Sequence, residues 1–193
     1  GFPKGVMLTH TNMASVALSN ATDQLVIPGG SSLFTAPLFH LAAGAVMLAN
    51  LTFGNRSVFV PTFSPVAVLQ AIQSERVTQA LLVPTMIQML VDYPDLASYD
   101  TTGLTNVMYG ASPISEALMT RALAAFPNAQ FVQGYGMTEL SPSATILPAW
   151  YHTPEGQAAG KMRSAGRATY ATEVRIVDEN DAEVARGTVG EVC

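Results

Sequence analysis

Cysteine is nearly missing from this sequence of 193 residues: the only one is Cys193, the last residue. An internal disulfide is therefore impossible, which removes the small disulfide-stapled scaffolds and fits a reducing compartment. A cytoplasmic location is the expectation. Charge is scarce as well. Asp, Glu, Lys and Arg make up 12% of the residues, about half the usual share of a soluble domain. So little charge points to surface covered by neighbouring structure. Basic residues are outnumbered, nine Lys and Arg against 14 Asp and Glu, for a net charge of −5. Nucleic-acid binders carry a basic footprint, so no such partner is expected. A nucleotide is not excluded, since a few backbone donors and one cation suffice to hold it. The longest clean apolar run, Leu41–Ala49, is far too short to span a bilayer. No basic start followed by an apolar stretch marks a signal peptide. What the sequence does have is apolar content, 49% of residues. That is enough to bury a real core and is unlike a disordered chain.

Strand-like and helix-like segments alternate along most of the length. Val6–His10, Leu33–Thr35, Arg56–Val60, Ala80–Val83, Asn106–Tyr109 and Phe131–Gln133 read as strands. Between them fall helices: one capped by Asn12 and running to about Val26, one over Leu41–Asn50, and one opened by Ser64-Pro65 and running to Glu75. Two more begin at Pro84 and after the capping Ser115. Met86 and Met89 lie at helical spacing and read as core. This alternation predicts an α/β fold, a largely parallel sheet with helices on both faces. The last quarter differs. Trp150–Ala171 is rich in glycine, proline and polar residues, and Glu173–Asp178 alternates like a half-exposed strand before a turn. Residues 1–150 are thus expected to form the α/β unit, and 151–193 the start of a β-rich one. The sequence opens inside a glycine/lysine motif without an initiator methionine. An internal piece of a longer protein is expected.

In an open parallel sheet, ligands bind beyond the carboxyl ends of the strands. Three loops fall there: Pro37-Leu38-Phe39-His40, Tyr109-Gly110-Ala111-Ser112-Pro113 and Gly134-Tyr135-Gly136-Met137-Thr138-Glu139. They are expected to line one crevice. Each also has a plainer reading: His40 as a packed or capping histidine, Tyr109–Pro113 as a simple turn, and the third loop as a helix-capping turn. The third is chemically the most specific. Its glycines let backbone approach a ligand closely. Tyr135 offers a flat face for a purine, Thr138 a hydroxyl for a phosphate oxygen, and Glu139 a hard oxygen ligand suited to Mg²⁺. Gly1-Phe2-Pro3-Lys4-Gly5 could be half of a phosphate loop with Lys4 as its point charge, but there is no full Walker A motif.

Taken in order, these segments resemble those of one family, the adenylate-forming (ANL) superfamily of acyl-CoA synthetases, luciferases and peptide-synthetase adenylation domains. Gly1–Val6 with Thr9-His10 is similar to the second half of its Gly/Ser/Thr-rich loop, with Gly1 as the last glycine. Pro37–His40 is similar to its histidine segment, Tyr109–Pro113 to its Gly-Gly-Ala-Pro-like segment, and Gln133–Glu139 to its adenylate signature. Ser164-Ala165-Gly166-Arg167 and Gly187–Glu191 resemble the two segments that follow. The forms Pro-Leu-Phe-His and Gln-Gly-Tyr-Gly-Met-Thr-Glu look most like the fatty-acyl-CoA synthetase branch, and the resemblance covers essentially the whole chain.

The resemblance implies a two-step reaction. A small-molecule carboxylic acid, medium- or long-chain fatty in this branch, attacks the α-phosphate of Mg-ATP to give an acyl-adenylate and pyrophosphate. Coenzyme A then displaces AMP. It also implies roles. Lys4, Gly110, Ala111, Ser112, Gly134, Tyr135, Gly136, Met137 and Thr138 would bind the nucleotide, and Glu139 the magnesium. His40, Leu41, Gly44, Gly110 and Gly136 would border the acyl group, while Thr138, Glu139 and His40 would carry the chemistry. The front half of the phosphate loop, a later ribose-binding aspartate and the C-terminal domain with its catalytic lysine are not in the sequence. The chain is therefore expected to be inactive alone. Delivery to a carrier-protein thiol, or a non-catalytic ligand-binding remnant, are the alternatives.

Overall fold

A computed structural model describes residues 2–193. The reading of Gly1 as the end of a phosphate loop lies outside the described residues. Five short strands pair in parallel: β1 (Ser31–Phe34), β2 (Arg56–Phe59), β3 (Gln79–Leu82), β4 (Asn106–Gly110) and β5 (Gln130–Tyr135). Two antiparallel strands, β6 (Thr145–Leu147) and β7 (Arg167–Ala168), complete a sheet in the order β2-β1-β3-β4-β5-β6-β7.

The helices between the strands start where the sequence offers a side-chain acceptor to an unpaired backbone N–H. Ser64 accepts from Ala67 N ahead of α3 (Pro65–Ser74), and Ser115 from Leu118 N ahead of α5 (Glu116–Ala125). Of two further helices, α2 (Leu41–Phe53) follows β1 after the loop of residues 35–40 and is capped by His40, and α4 (Pro84–Val91) follows β3 with only Val83 between. The N-terminal end departs from expectation. Residues 6–10 are not a strand: α1 (His10–Thr22) begins there, with Thr9 as its cap. Thr9 and Asn12 form a reciprocal capping box, so Asn12 sits inside the first turn and is not the cap itself. The helix stops at Thr22, short of Val26. The buried Asp23 carboxylate accepts from Ser19 Oγ, Tyr170 N and Arg167, and Gln24 adopts a left-handed φ of 60°. That turn drives Leu25 and Val26 into the core.

Side chains alternate across the strands, and two cores result. Leu33, Val107, Tyr109 and Phe131 face α3, α4 and α5. Their neighbours Phe34, Met108 and Val132 face α1 and α2. Helices thus cover both faces, as the alternation predicts. After β6 the chain thins out. A 3₁₀ turn (Ala149–His152) and a short helix, α6 (Pro154–Ala158), lead to β7. Then β8 (Ile176–Val177) and β9 (Glu191–Val192) form an antiparallel ribbon. The expected strand over Glu173–Asp178 is realised only at Ile176–Val177.

Candidate active site

Strand order reverses between β1 and β3, because the connection from β1 runs to β2 on one side while β3 pairs on the other. A crevice must open beyond the carboxyl ends of strands that part this way. A cavity of about 340 Å³ lies there. The loop after β1 supplies Ala36, Pro37, Phe39 and His40, and α2 begins with Leu41. From β3 and α4 come Leu81, Leu82, Val83 and Met86, and from β4 come Met108, Tyr109, Gly110 and then Ala111. The loop after β5 closes it with Gly134–Thr138. The three loops read from the sequence therefore meet in one place. No Asp, Glu, Lys or Arg lines this cavity.

A second hollow, about 690 Å³, adjoins the first and shares Ala111, Gly134, Tyr135 and Gly136 with it. Its other walls mix polar side chains, Ser112, Gln133, Arg163 and Ser164 among them, with Pro113, Ile114 and Met162. Gln133 Oε1 is buried there and has no hydrogen-bond partner. A buried acceptor left unpaired costs about 1–3 kcal/mol. Glu139 lines a third hollow, about 320 Å³, on the α1 side, with Asn12, Ser15, Ser141, Ser143, Thr169 and Glu173.

The wall between the first two hollows is held in unusual backbone geometry. Ala111 has φ 67°, a left-handed conformation that costs a non-glycine residue about 1–3 kcal/mol and persists only where surroundings enforce it. Gly136 has no room for anything larger: a Cβ there would stand 1.6 Å from Pro142 O. The loop after β5 folds back on itself only because that position is glycine.

Not every expected site residue joins this assembly. His40, Leu41, Gly110, Ala111, Gly134, Tyr135, Gly136, Met137 and Thr138 line the first cavity, and Ser112 the second. Gly44 stands one turn into α2, behind the loop and 3.4 Å by its virtual Cβ from Leu38 O. Lys4 is exposed in the N-terminal segment and lines none of the three hollows. Glu139 faces away from the first cavity into the third hollow. His40 does cap α2, its Nδ1 accepting from Ala42 N at 3.3 Å. The plainer reading of that residue, a capping histidine, is the one the geometry shows; in the neutral ring the proton then sits on Nε2. Thr138–Leu140 forms a single 3₁₀ turn with no side-chain cap before it.

Sequence reasoning missed three features. Met86, read as core, is only partly buried and lines the cavity, while Met89 is half exposed. The signal was Pro84 directly after a strand, which puts the first helical turn at the carboxyl edge. Gln133 was quoted only as part of a motif. The third feature is a fully buried polar pair, Tyr109 and His152, 0% and 1% exposed. Tyr109 Oη lies 2.9 Å from His152 Nε2, and His152 Nδ1 lies 3.2 Å from Pro148 O. A carbonyl only accepts, so Nδ1 carries the proton and Tyr109 donates to Nε2. Burial pushes the His152 pKa down to about 4, against the weaker opposing pull of the Pro148 and Ala149 backbone. Burial likewise raises that of Tyr109. The pair ties β4, next to Gly110, to the turn beyond β6. With 43 positions between its members, no local signal points to it.

A largely parallel sheet covered on both faces, with two adjoining hollows at its carboxyl edge, defines an α/β domain. The profile of the AMP-binding enzyme family matches residues 1–193; the chain belongs to that family, of the ANL superfamily. It is 36% identical over 193 residues to a feruloyl-CoA synthase of an Amycolatopsis species, covering 100% of this chain and 38% of that protein. A fatty acid–[acyl-carrier-protein] ligase, ScoC, of Streptomyces coeruleorubidus is 32% identical over 197 residues, covering 100% of this chain and 37% of the relative. Among solved structures, the inhibitor-bound N-terminal domain of FACL13 from Mycobacterium tuberculosis superposes with a TM-score of 0.88 at 31% identity, over 100% of this chain and 46% of that one. The chain spans less than two-fifths of the length of these curated relatives.

Proposed function

We propose that this chain is the central part of an AMP-forming acid–thiol ligase, which activates a carboxylic acid with ATP and passes the acyl group to coenzyme A. The observation that carries this is the pair of hollows sharing one wall. One is lined without formal charge and suits an acyl group. The other has the more polar lining, with Ser112, Gln133, Arg163 and Ser164, and suits a nucleotide. The shared wall of Ala111, Gly134, Tyr135 and Gly136 is where carboxylate and α-phosphate would meet, and holding them there supplies most of the catalysis. In this reading Tyr135, 42% exposed, stacks on the base. Ser112 and the backbone of Gly134–Met137 border the nucleotide, Thr138 donates to a phosphate oxygen, and Lys4 closes over the phosphates. His40 Nε2–H points a donor at the acid's carboxylate.

Magnesium fits the third hollow. Its donors are oxygens, Glu139 among them, which suit a hard cation. Among the described residues there is no cluster of three or more His, Cys, Asp or Glu that could hold a metal ion. When bound, Mg²⁺ neutralises charge on the phosphates during displacement. Glu139 would hold it, with the serine and threonine hydroxyls around it ordering its water.

A cytoplasmic site of action goes with this reading. The 32% identity to an acyl-carrier-protein ligase favours a second reading, in which the acceptor is a carrier-protein thiol and the first half-reaction is unchanged. The test is carboxylate-dependent ATP–pyrophosphate exchange by the full-length protein. Exchange is expected, and Glu139→Gln should slow it about a hundredfold. Exchange unaffected by that change would remove Glu139 from its role. Acyl-CoA formation by residues 1–193 alone would overturn the reading of the chain as an incomplete part.

A further inference from the structure

The cavity assigned to the acid has a wall of fixed depth, and one hydrogen bond fixes it. Met86 stands in the first turn of α4, at the point where β1 and β3 part, and lines the cavity beside Leu82 and Met108. A methionine side chain is unbranched and would ordinarily swing aside to admit a larger guest. Here it is held. Thr35, 8% exposed and one residue beyond β1, donates its hydroxyl to Met86 Sδ at 3.6 Å. That hydroxyl makes no other hydrogen bond among the described residues. A thioether is a weak acceptor, but it is the partner this buried hydroxyl has, so the contact biases Met86 towards the observed position.

The space left is small. At about 340 Å³ the cavity sits near the lower end of the roughly 300–1,000 Å³ of small-molecule sites. No charged side chain lines it, so an acid with a second charge would be buried unpaired. We infer that Met86, pinned by Thr35, is a specificity-determining residue that restricts the acid to a compact, neutral apolar body. A medium-length alkanoic acid and an aryl acid share that chemistry. The inference rests on the cavity being the acid site of the proposed ligase.

The experiment is ATP–pyrophosphate exchange by the full-length protein with octanoate, cinnamate and palmitate, with folding of each variant checked by circular dichroism. The expected wild-type result is octanoate or cinnamate well above palmitate, and which of the two leads says whether the body is alkyl or aryl. Met86→Ala should raise kcat/KM for palmitate relative to the preferred acid by about tenfold or more. Thr35→Val keeps the shape, removes the hydroxyl and should move the ratio in the same direction by less. It carries the test if Met86→Ala does not fold. A change confined to stability would lower all three acids together and leave the ratio alone. Palmitate preferred by the wild type, or ratios unmoved in folded variants while exchange persists, overturns the role of Met86 alone. No exchange with any of the three acids in folded wild type overturns the ligase reading and this inference together.

Discussion

The middle of the sheet and the ribbon near residue 193 are both built from short strands, and they are held in opposite ways. Strands β4 and β5 carry five and six residues, and Val107, Tyr109, Phe131 and Val132 are each 2% exposed or less. Helices cover them on both sides, so the loops at their ends leave from fixed points. Strands β8 and β9 carry two residues each, and only Val177 of the four is buried. Beyond residue 150 the buried apolar side chains are Met162 and Val177. The two adjoining hollows are bordered by the ends of buried strands of the first kind, by the loops that leave them and by the helices that follow, and Met162–Ala165 close the second from the last quarter of the chain. A wall that keeps Ala111 left-handed and Gly136 against Pro142 needs anchors that do not move, and packing on two faces supplies them.

Substitutions test that contrast directly. Phe131→Ala, at 1% exposure in β5, is expected to cost about 3–5 kcal/mol in urea denaturation. Next comes acid. His152 is kept neutral when folded, with a pKa lowered from 6.5 to about 4. As pH falls from 6.5 the unfolded chain takes up a proton that the folded chain refuses, so stability is intact above pH 6.5 and drains away towards pH 4. The drop from 6.5 to about 4 corresponds to roughly 3 kcal/mol. Unfolding midpoints at pH 7 and pH 4 should show a loss larger by that amount in wild type than in His152→Gln, which does not titrate. Equal losses would mean that the pair does not couple folding to pH. Tyr109→Phe keeps the ring and leaves His152 Nε2 without its donor; about 1–2 kcal/mol is expected at neutral pH. Smallest is Val192→Ala, at 55% exposure in β9, expected within about 0.5 kcal/mol of wild type. A cost at Val192 matching that at Phe131 would erase the distinction between the two regions.

The same contrast explains how much of the molecule could be read in advance. The buried strands and their helices were legible because burial writes apolar runs, and helix starts write Ser64-Pro65 and Ser115. Near the chain's beginning, Val6–His10 has the composition of a strand but no neighbour to pair with, and Thr9 with Asn12 forms a helix cap instead. In the last quarter pairing is set by partners far off in sequence, such as Ile176 with Val192. Of the site, the three loops could be found because strand ends and turn residues mark them. Met86 could not be separated from core methionines by spacing. The Tyr109–His152 and Thr35–Met86 bonds join residues 43 and 51 positions apart, and nothing local records them.

Because Ala111, Gly134, Tyr135 and Gly136 border two hollows at once, that wall is the route by which the occupants of the hollows would be coupled. If filling one stiffens the wall, the other guest meets a partition already ordered and binds with less entropic loss. On the proposed reading, whatever factor the acid adds to nucleotide affinity, the nucleotide returns to the acid. Evolution at these four positions cannot retune one affinity without entering the other in the same ledger.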